Sequence, residues 1–160
     1  MTSLRGIAGF SAAFTAVVWL ATAPLEALAG PEAELFAAVN RVRTEHNLIP
    51  LRGSPELAKV ALAHAQDMAR RDYLAHENPE GLNPLQRVTG AGISGFRLLA
   101  ENIGASTVGG DRITAIVDGW MNSHDHRENV LNPAFNTAGV AVVDAPGGKT
   151  IVVELYATFQ

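Results

Sequence analysis

The sequence contains no cysteine, although its first residues indicate export. Disulfide bonds, which commonly stabilise small exported domains, therefore contribute nothing to this protein. A chain of this length buries roughly two-thirds of its unfolded surface, which is enough for a hydrophobic core without covalent cross-links. The length after the leading segment predicts one ordinary domain.

The sequence also lacks an excess of positive charge, since its formal net charge is −4. A mildly acidic chain with no basic stripe argues against nucleic acid as the main partner. No internal repeat and no low-complexity segment is visible. The short zinc motif His-Glu-x-x-His is absent as well, so no metal site is indicated by local spacing alone.

The first 29 residues are predicted to be a signal peptide. Arg5 provides a basic start, residues 6–25 carry no charge, and Ala27-Leu28-Ala29 fits the small-x-small pattern before a cleavage site at Gly30. An uncleaved membrane anchor is the alternative, because the apolar run is near the lower length limit for a span. Cleavage predicts a secreted protein, extracellular or periplasmic, that keeps no stable membrane span.

Helical periodicity and capping residues predict four helices in residues 30–160. They are expected over residues 31–47, 55–71, 84–88 and 111–120. On the first helix, Leu35 and Val39 belong to the apolar stripe, and Arg43 is assigned to the solvent side. His64 lies on the apolar stripe of the second helix, where a buried and hydrogen-bonded histidine is the expected interpretation.

Strand-like segments are concentrated near the end of the chain. Residues 138–143 and 150–159 are apolar and are joined by Pro146-Gly147-Gly148-Lys149, which predicts a hairpin. Residues 98–104 are expected to be extended, with Glu101 between apolar neighbours. Helices before and between strands predict an α+β fold in which an antiparallel sheet of about three strands lies between helical layers.

The most polar stretch runs from Trp120 to Pro133. It holds two of the five histidines, His124 and His126, together with Ser123, Asp125 and Glu128. Such groups are costly to bury unless they are paired. Taken alone, the stretch is interpreted as a solvated helix end and turn.

Seven segments, taken in order, resemble one family. They are Val39–Arg43 with Leu51, Ala63–Met68, the loop around His76, Ala100–Ile103, Trp120–Pro133, Ala138–Val142, and Phe159-Gln160. The sequence resembles the CAP superfamily, or SCP domain, which includes cysteine-rich secretory proteins, antigen 5 and pathogenesis-related 1 proteins. It is most similar to the short, secreted bacterial members, and the resemblance covers nearly all of residues 32–160.

The resemblance implies a three-layer α-β-α sandwich with a cleft lined by two histidines and two acids, where some members hold a divalent metal. The histidines match His76 and His126, and one acid matches Glu101. The position of the second acid is occupied by Ser123, which leaves Asp125 and Glu128 as possible substitutes. The eukaryotic disulfides and cysteine-rich tail are absent.

Three functions follow as hypotheses. The first is an extracellular binding module in which His76, His126 and Glu101 hold a divalent metal (Zn, Mg or Ca) or the cleft takes a lipid, peptide or cell-envelope fragment. The second is a hydrolase, protease-like or nuclease-like, with the same three residues as catalytic groups. The third is a scaffold in which they form a buried hydrogen-bonded network. The consecutive residues Ser123, His124 and Asp125 do not predict a triad, because adjacent side chains on a helix do not face each other.

Overall fold

A computed structural model describes residues 30–160, and the predicted signal peptide lies outside the described residues. The elements in chain order are α1 Pro31–Glu45, β1 Arg52–Gly53, α2 Pro55–Arg71, α3 Pro84–Gly90, β2 Phe96–Ser106, α4 Arg112–Asn122, α5 His124–Val130, β3 Thr137–Ala145 and β4 Lys149–Phe159. The predicted α+β fold is confirmed. Of the helices in the described part of the chain, none combines the length and apolar character that crossing a bilayer requires.

The strands form one four-stranded sheet in the order β1-β3-β4-β2. The three long strands are antiparallel, and a short 3-10 turn, Pro146–Gly148, joins β3 to β4 as the hairpin prediction required. The fourth strand, β1, has only two residues and pairs parallel to β3. The expected number of about three strands was therefore one too low, because two residues in a loop carry no alternating pattern.

Side chains alternate between the two faces of the sheet, and a helical layer covers each face. On β4, Val152 and Tyr156 pack against α1, α4 and α5, whereas Val153 and Leu155 pack against α2 and α3. The strand β2 is an edge of the sheet, so the two helical layers approach each other along it.

Capping explains where several helices begin. Ser54 Oγ accepts a hydrogen bond from Leu57 N at the start of α2, and Asp111 does the same for Thr114 N at the start of α4. Asn83 and Gln86 form a reciprocal capping box at the start of α3.

Gly104 lets α4 approach β2 closely. A Cβ atom at Gly104 would lie 2.8 Å from Ile116 Cγ2 and 3.2 Å from Trp120 Nε1. The Trp120 indole instead donates to Ile103 O at 2.9 Å. This contact fixes the end of α4, and hence the start of the polar stretch, against the sheet.

Two local interpretations of the sequence were wrong. The stretch after Trp120 is not a turn, because α5 begins at His124 and only Ser123 separates it from α4. Arg43 is not on the solvent side of α1, since it is fully buried and donates to the carbonyl groups of Val130 and Phe135 at 2.8 and 3.0 Å. A guanidinium with enough carbonyl acceptors can be buried, and no helical periodicity reveals those acceptors.

Glu154 is a completely buried acid on β4 that the sequence did not single out. Its Oε2 accepts from Tyr156 OH at 2.9 Å, and its Oε1 has no partner. Burial raises the pKa of Glu154 to about 8, against smaller opposing effects from Tyr156 and Arg43. The folded protein therefore keeps a proton on Glu154 that the unfolded chain releases near its ordinary pKa.

We predict that Glu154→Gln removes a pH-dependent loss of stability. Between about pH 5.5 and about 7, the unfolded chain has already released the Glu154 proton and the folded protein still holds it, so the wild-type free energy of unfolding falls as pH rises. The free energy of unfolding of the Gln variant should therefore rise relative to that of the wild type as pH rises. The slope of this difference should approach about 1.4 kcal/mol per pH unit. Urea unfolding at several pH values measures it. The exposed Glu128→Gln serves as the control, and a parallel pH profile for wild type and Glu154→Gln would contradict the assignment.

Candidate functional site

Glu101 lies in the middle of the edge strand β2, opposite Leu155 in the sheet register. The side chain is 1% exposed and faces the layer formed by α2 and α3. An ionised carboxylate in such a position needs charged or hydrogen-bonding partners on both oxygens. Two side chains provide them.

The first partner is His76, in the loop between α2 and α3. Its Nδ1 lies 2.9 Å from Glu101 Oε1, and half of its side chain is exposed. Because an ionised carboxylate only accepts hydrogen bonds, Nδ1 carries the proton and Nε2 keeps its lone pair. In the neutral ring, Nε2 is therefore the nitrogen without a proton.

The second partner is Arg87 on α3, which the sequence analysis did not identify. Its Nη2 donates to Glu101 Oε2 at 2.5 Å, and its side chain is 9% exposed. Both carboxylate oxygens are thus occupied, one by an imidazole and one by a guanidinium. Neither periodicity nor spacing signals this role, because Arg87 belongs to a seven-residue helix with a single buried residue.

His126 belongs to the opposite helical layer, on α5. Its Nδ1 lies 2.8 Å from Ser123 Oγ, three residues earlier, so that Nε2 is again the nitrogen left over. The pKa of His126 is lowered, first by partial burial and second by the nearby charge of His76. The ring is therefore neutral near pH 7, and the two histidines are electrostatic neighbours.

The backbone of His126 is fixed by Asn102, the residue after Glu101. Asn102 Nδ2 donates to His126 O at 3.0 Å, and Asn102 Oδ1 accepts from Asn129 Nδ2 at 2.9 Å. Asn102 is fully buried and also contacts Tyr156 OH at 3.3 Å. Strand alternation points Glu101 and Asn102 to opposite faces, so that consecutive residues hold the two histidines.

The remaining predicted neighbours lie outside this arrangement. Asp125 and Glu128 have side chains that are 95% and 70% exposed, and both lie next to the exposed His124. Ser123 contacts His126 instead of its sequence neighbour His124. Within residues 30–160, the structure thus joins His76 directly to Glu101, brings His126 near His76, and leaves Asp125 and Glu128 facing solvent.

Whether His76, Glu101 and His126 could hold a divalent ion depends on which of their donor atoms are already hydrogen-bonded. Among residues 30–160, no group of three or more His, Asp or Glu side chains is arranged to hold a metal. Glu101 is 1% exposed and each of its oxygens already accepts a hydrogen bond, so a metal that bound it directly would compete with His76 and Arg87. Neither Nε2 atom of His76 and His126 has a hydrogen-bond partner among the contacts of residues 30–160.

A groove lies elsewhere in the described residues. It has a volume of about 960 Å³ and lies beside β3 between α1 and α2, with Phe36, Leu51, Ala58, Leu62 and Phe159 among its lining residues. None of His76, Glu101 and His126 lines it. The hydrogen-bonded imidazoles and the buried carboxylate therefore lie outside this groove.

Comparison with known proteins decides the family. The model of the cysteine-rich secretory protein family, CAP, matches residues 36–156. The chain belongs to the CAP family. The resemblance of the seven segments is thereby confirmed, and it extends over most of the described fold.

Two bacterial proteins illustrate what this CAP domain is similar to. YkwD of Bacillus subtilis is 34% identical over 114 residues, which is 71% of this chain and 43% of YkwD. The crystal structure of an extracellular protein with an SCP domain from Bacillus anthracis is 30% identical, with a TM-score of 0.68 over 78% of this chain and 39% of that one. The chain therefore spans less than half the length of these two relatives.

A third comparison supports the fold alone. An outer surface protein from Borrelia burgdorferi has a TM-score of 0.70 at 24% identity, covering 79% of this chain and 91% of that protein. High coverage of both chains shows that the CAP fold also occurs as a protein of about this size.

Proposed function

We propose that this CAP domain is an extracellular binding module whose cleft holds a divalent cation between His76 and His126. One observation carries the proposal: each imidazole has its Nδ1 engaged, by Glu101 or Ser123, which leaves both Nε2 atoms available. Metal-binding histidines almost always use their other nitrogen in this way, because that hydrogen bond fixes the tautomer and the ring orientation.

Zn²⁺ is the ion that the donors favour. Imidazole nitrogen suits zinc, whereas Mg²⁺ and Ca²⁺ prefer oxygen ligands. Glu101 then orients His76 and balances charge, and it is not itself a ligand. A bound ion would supply a Lewis acid with open positions, to which a donor atom of a small extracellular ligand, such as a peptide, lipid or cell-envelope fragment, can attach.

Secretion is part of the proposal. It is supported by the predicted signal peptide in residues 1–29 and by the similarity to an extracellular protein of Bacillus anthracis. Without cysteine, the domain depends on core packing and on its buried polar network for stability outside the cell.

We predict that Zn²⁺ raises the melting temperature at about pH 7.5 and raises it much less at about pH 5. An ion that binds only the folded state stabilises it by roughly 2.7 kcal/mol at a hundredfold excess over its dissociation constant. Metal affinity should fall as pH falls, because the imidazoles must be neutral to bind. Thermal-shift measurements at both pH values give the result.

His76→Ala and His126→Ala should each abolish the zinc response, while His124→Ala should preserve it. His124 is the matched control, since it lies on the same helix as His126 and is exposed. A response that survives both cleft substitutions would place the ion elsewhere. Loss of stability in His76→Ala, together with no metal response in the wild type, would favour the scaffold hypothesis.

A hydrolase is the second candidate, and one contact favours it. Ser123 Oγ lies 2.8 Å from His126 Nδ1, and the lowered pKa of His126 keeps that ring neutral, as a general base requires. No acid orients His126 among the contacts described for residues 30–160, so the pair is weaker than a triad. A nucleophilic Ser123 predicts covalent labelling by a fluorophosphonate that is lost in both Ser123→Ala and His126→Ala. Absence of labelling in the wild type would remove this candidate.

A further inference from the structure

We propose that Arg87 is the positioning residue of the cleft, which sets the orientation and the tautomer of His76. Its side chain joins three parts of the fold: α3, the loop that carries His76, and β2. The inference rests on the proposed function and deepens it, because it assigns the residue on which the exposed nitrogen of His76 depends.

The loop needs such an anchor, because residues 73–83 contain no helix or strand. Arg87 Nη1 donates to His76 O at 2.6 Å and to Leu82 O at 2.9 Å. One guanidinium nitrogen thus holds the loop at His76 and again at Leu82, just before α3 begins. The peptide group of His76 is fixed by the same atom that closes the loop.

The other end of the guanidinium fixes the partner of the His76 ring. Arg87 Nη2 donates to Glu101 Oε2, while Glu101 Oε1 accepts from His76 Nδ1 at 2.9 Å. Arg87 therefore determines the position of the His76 backbone through Nη1 and that of its ring acceptor through Nη2. A planar guanidinium donates in two fixed directions, which the single ammonium of lysine cannot do.

His64 holds the backbone of the same loop from the side of α2. It is 2% exposed, and its Nε2 donates to the carbonyl of Ala75, the residue before His76, at 2.9 Å. This agrees with the sequence-based interpretation of a buried histidine, although its Nδ1 has no partner.

The same region contains two buried polar atoms without a hydrogen-bond partner in residues 30–160. His64 Nδ1 and Arg87 Nε are two of three buried side-chain nitrogen or oxygen atoms without a hydrogen-bond partner in the described residues. Unpaired buried polar atoms are unfavourable, and an apolar side chain in either position would avoid them. Polar groups at these two positions are therefore better explained by the placement of His76 than by packing.

The tautomer of His76 is the direct readout of this arrangement. In the wild-type protein Glu101 holds the proton on Nδ1, whereas a free neutral imidazole prefers it on Nε2. When Glu101 loses its anchor and the His76 carbonyl loses its donor, the ring should return to the mixture of a free imidazole. The two tautomers are distinguished by the ¹⁵N chemical shifts of the ring nitrogens.

The experiment compares Arg87→Lys with Arg71→Lys in metal-free protein at about pH 8.5, well above the ordinary pKa of histidine. Arg71 is the matched control, because it also ties this loop, through Glu80 at 2.7 Å, but does not contact His76. We expect Arg87→Lys to move the His76 Nδ1 resonance from the protonated range towards the tautomer average and Arg71→Lys to leave it unchanged. A thermal melt of each variant confirms that it is folded.

A wild-type tautomer in Arg87→Lys overturns the proposal, and so does an equal change in both variants, since the loop as a whole would then be responsible. The tautomer is measured without metal, which separates this proposal from the proposed function. If zinc binds the cleft, Arg87→Lys should weaken zinc affinity by about 10–100-fold, as the loss of such a supporting partner usually does. A changed tautomer in a protein that never responds to zinc would support Arg87 and refute the metal site.

Discussion

The arrangement depends on the burial of one carboxylate. Glu101 is almost inaccessible to solvent, and a lone ionised group there would cost several kcal/mol. Arg87 and His76 remove that cost together, and in doing so they connect the edge strand with α3 and with a loop that has no regular structure. The charge of Glu101 is thus satisfied by side chains from outside its own strand.

The position of β2 at the sheet edge explains how two helical layers contribute to one site. Glu101 points to one layer and holds His76, and Asn102 points to the other and holds the backbone of α5. In a central strand, the side chains on opposite faces would be separated by the sheet. At the edge, His76 and His126 are close enough for the charge of one to lower the pKa of the other.

The sequence predicted the elements whose signals are local. Proline and capping residues located the starts of α1, α2 and α4, and apolar alternation located the hairpin. His76, Glu101 and His126 were selected by family resemblance and not by spacing, because 25 residues separate each from the next. The contacts of Arg87, Asn102 and Arg43 could not be predicted, since they join residues distant in sequence, largely through carbonyl groups that every residue possesses. The helix α5 was missed for a different reason, because its polar residues show no helical stripe.

The central claim is that Glu101 orients His76 so that Nε2, and not the carboxylate, meets a bound ion. Anomalous scattering at the zinc edge from crystals grown with Zn²⁺ tests it most directly. The account predicts a peak about 2.0–2.1 Å from His76 Nε2, the usual zinc–nitrogen distance, with the Nδ1 contact to Glu101 intact. A zinc ion bound to Glu101 in place of Arg87, or no zinc at either histidine, would contradict it.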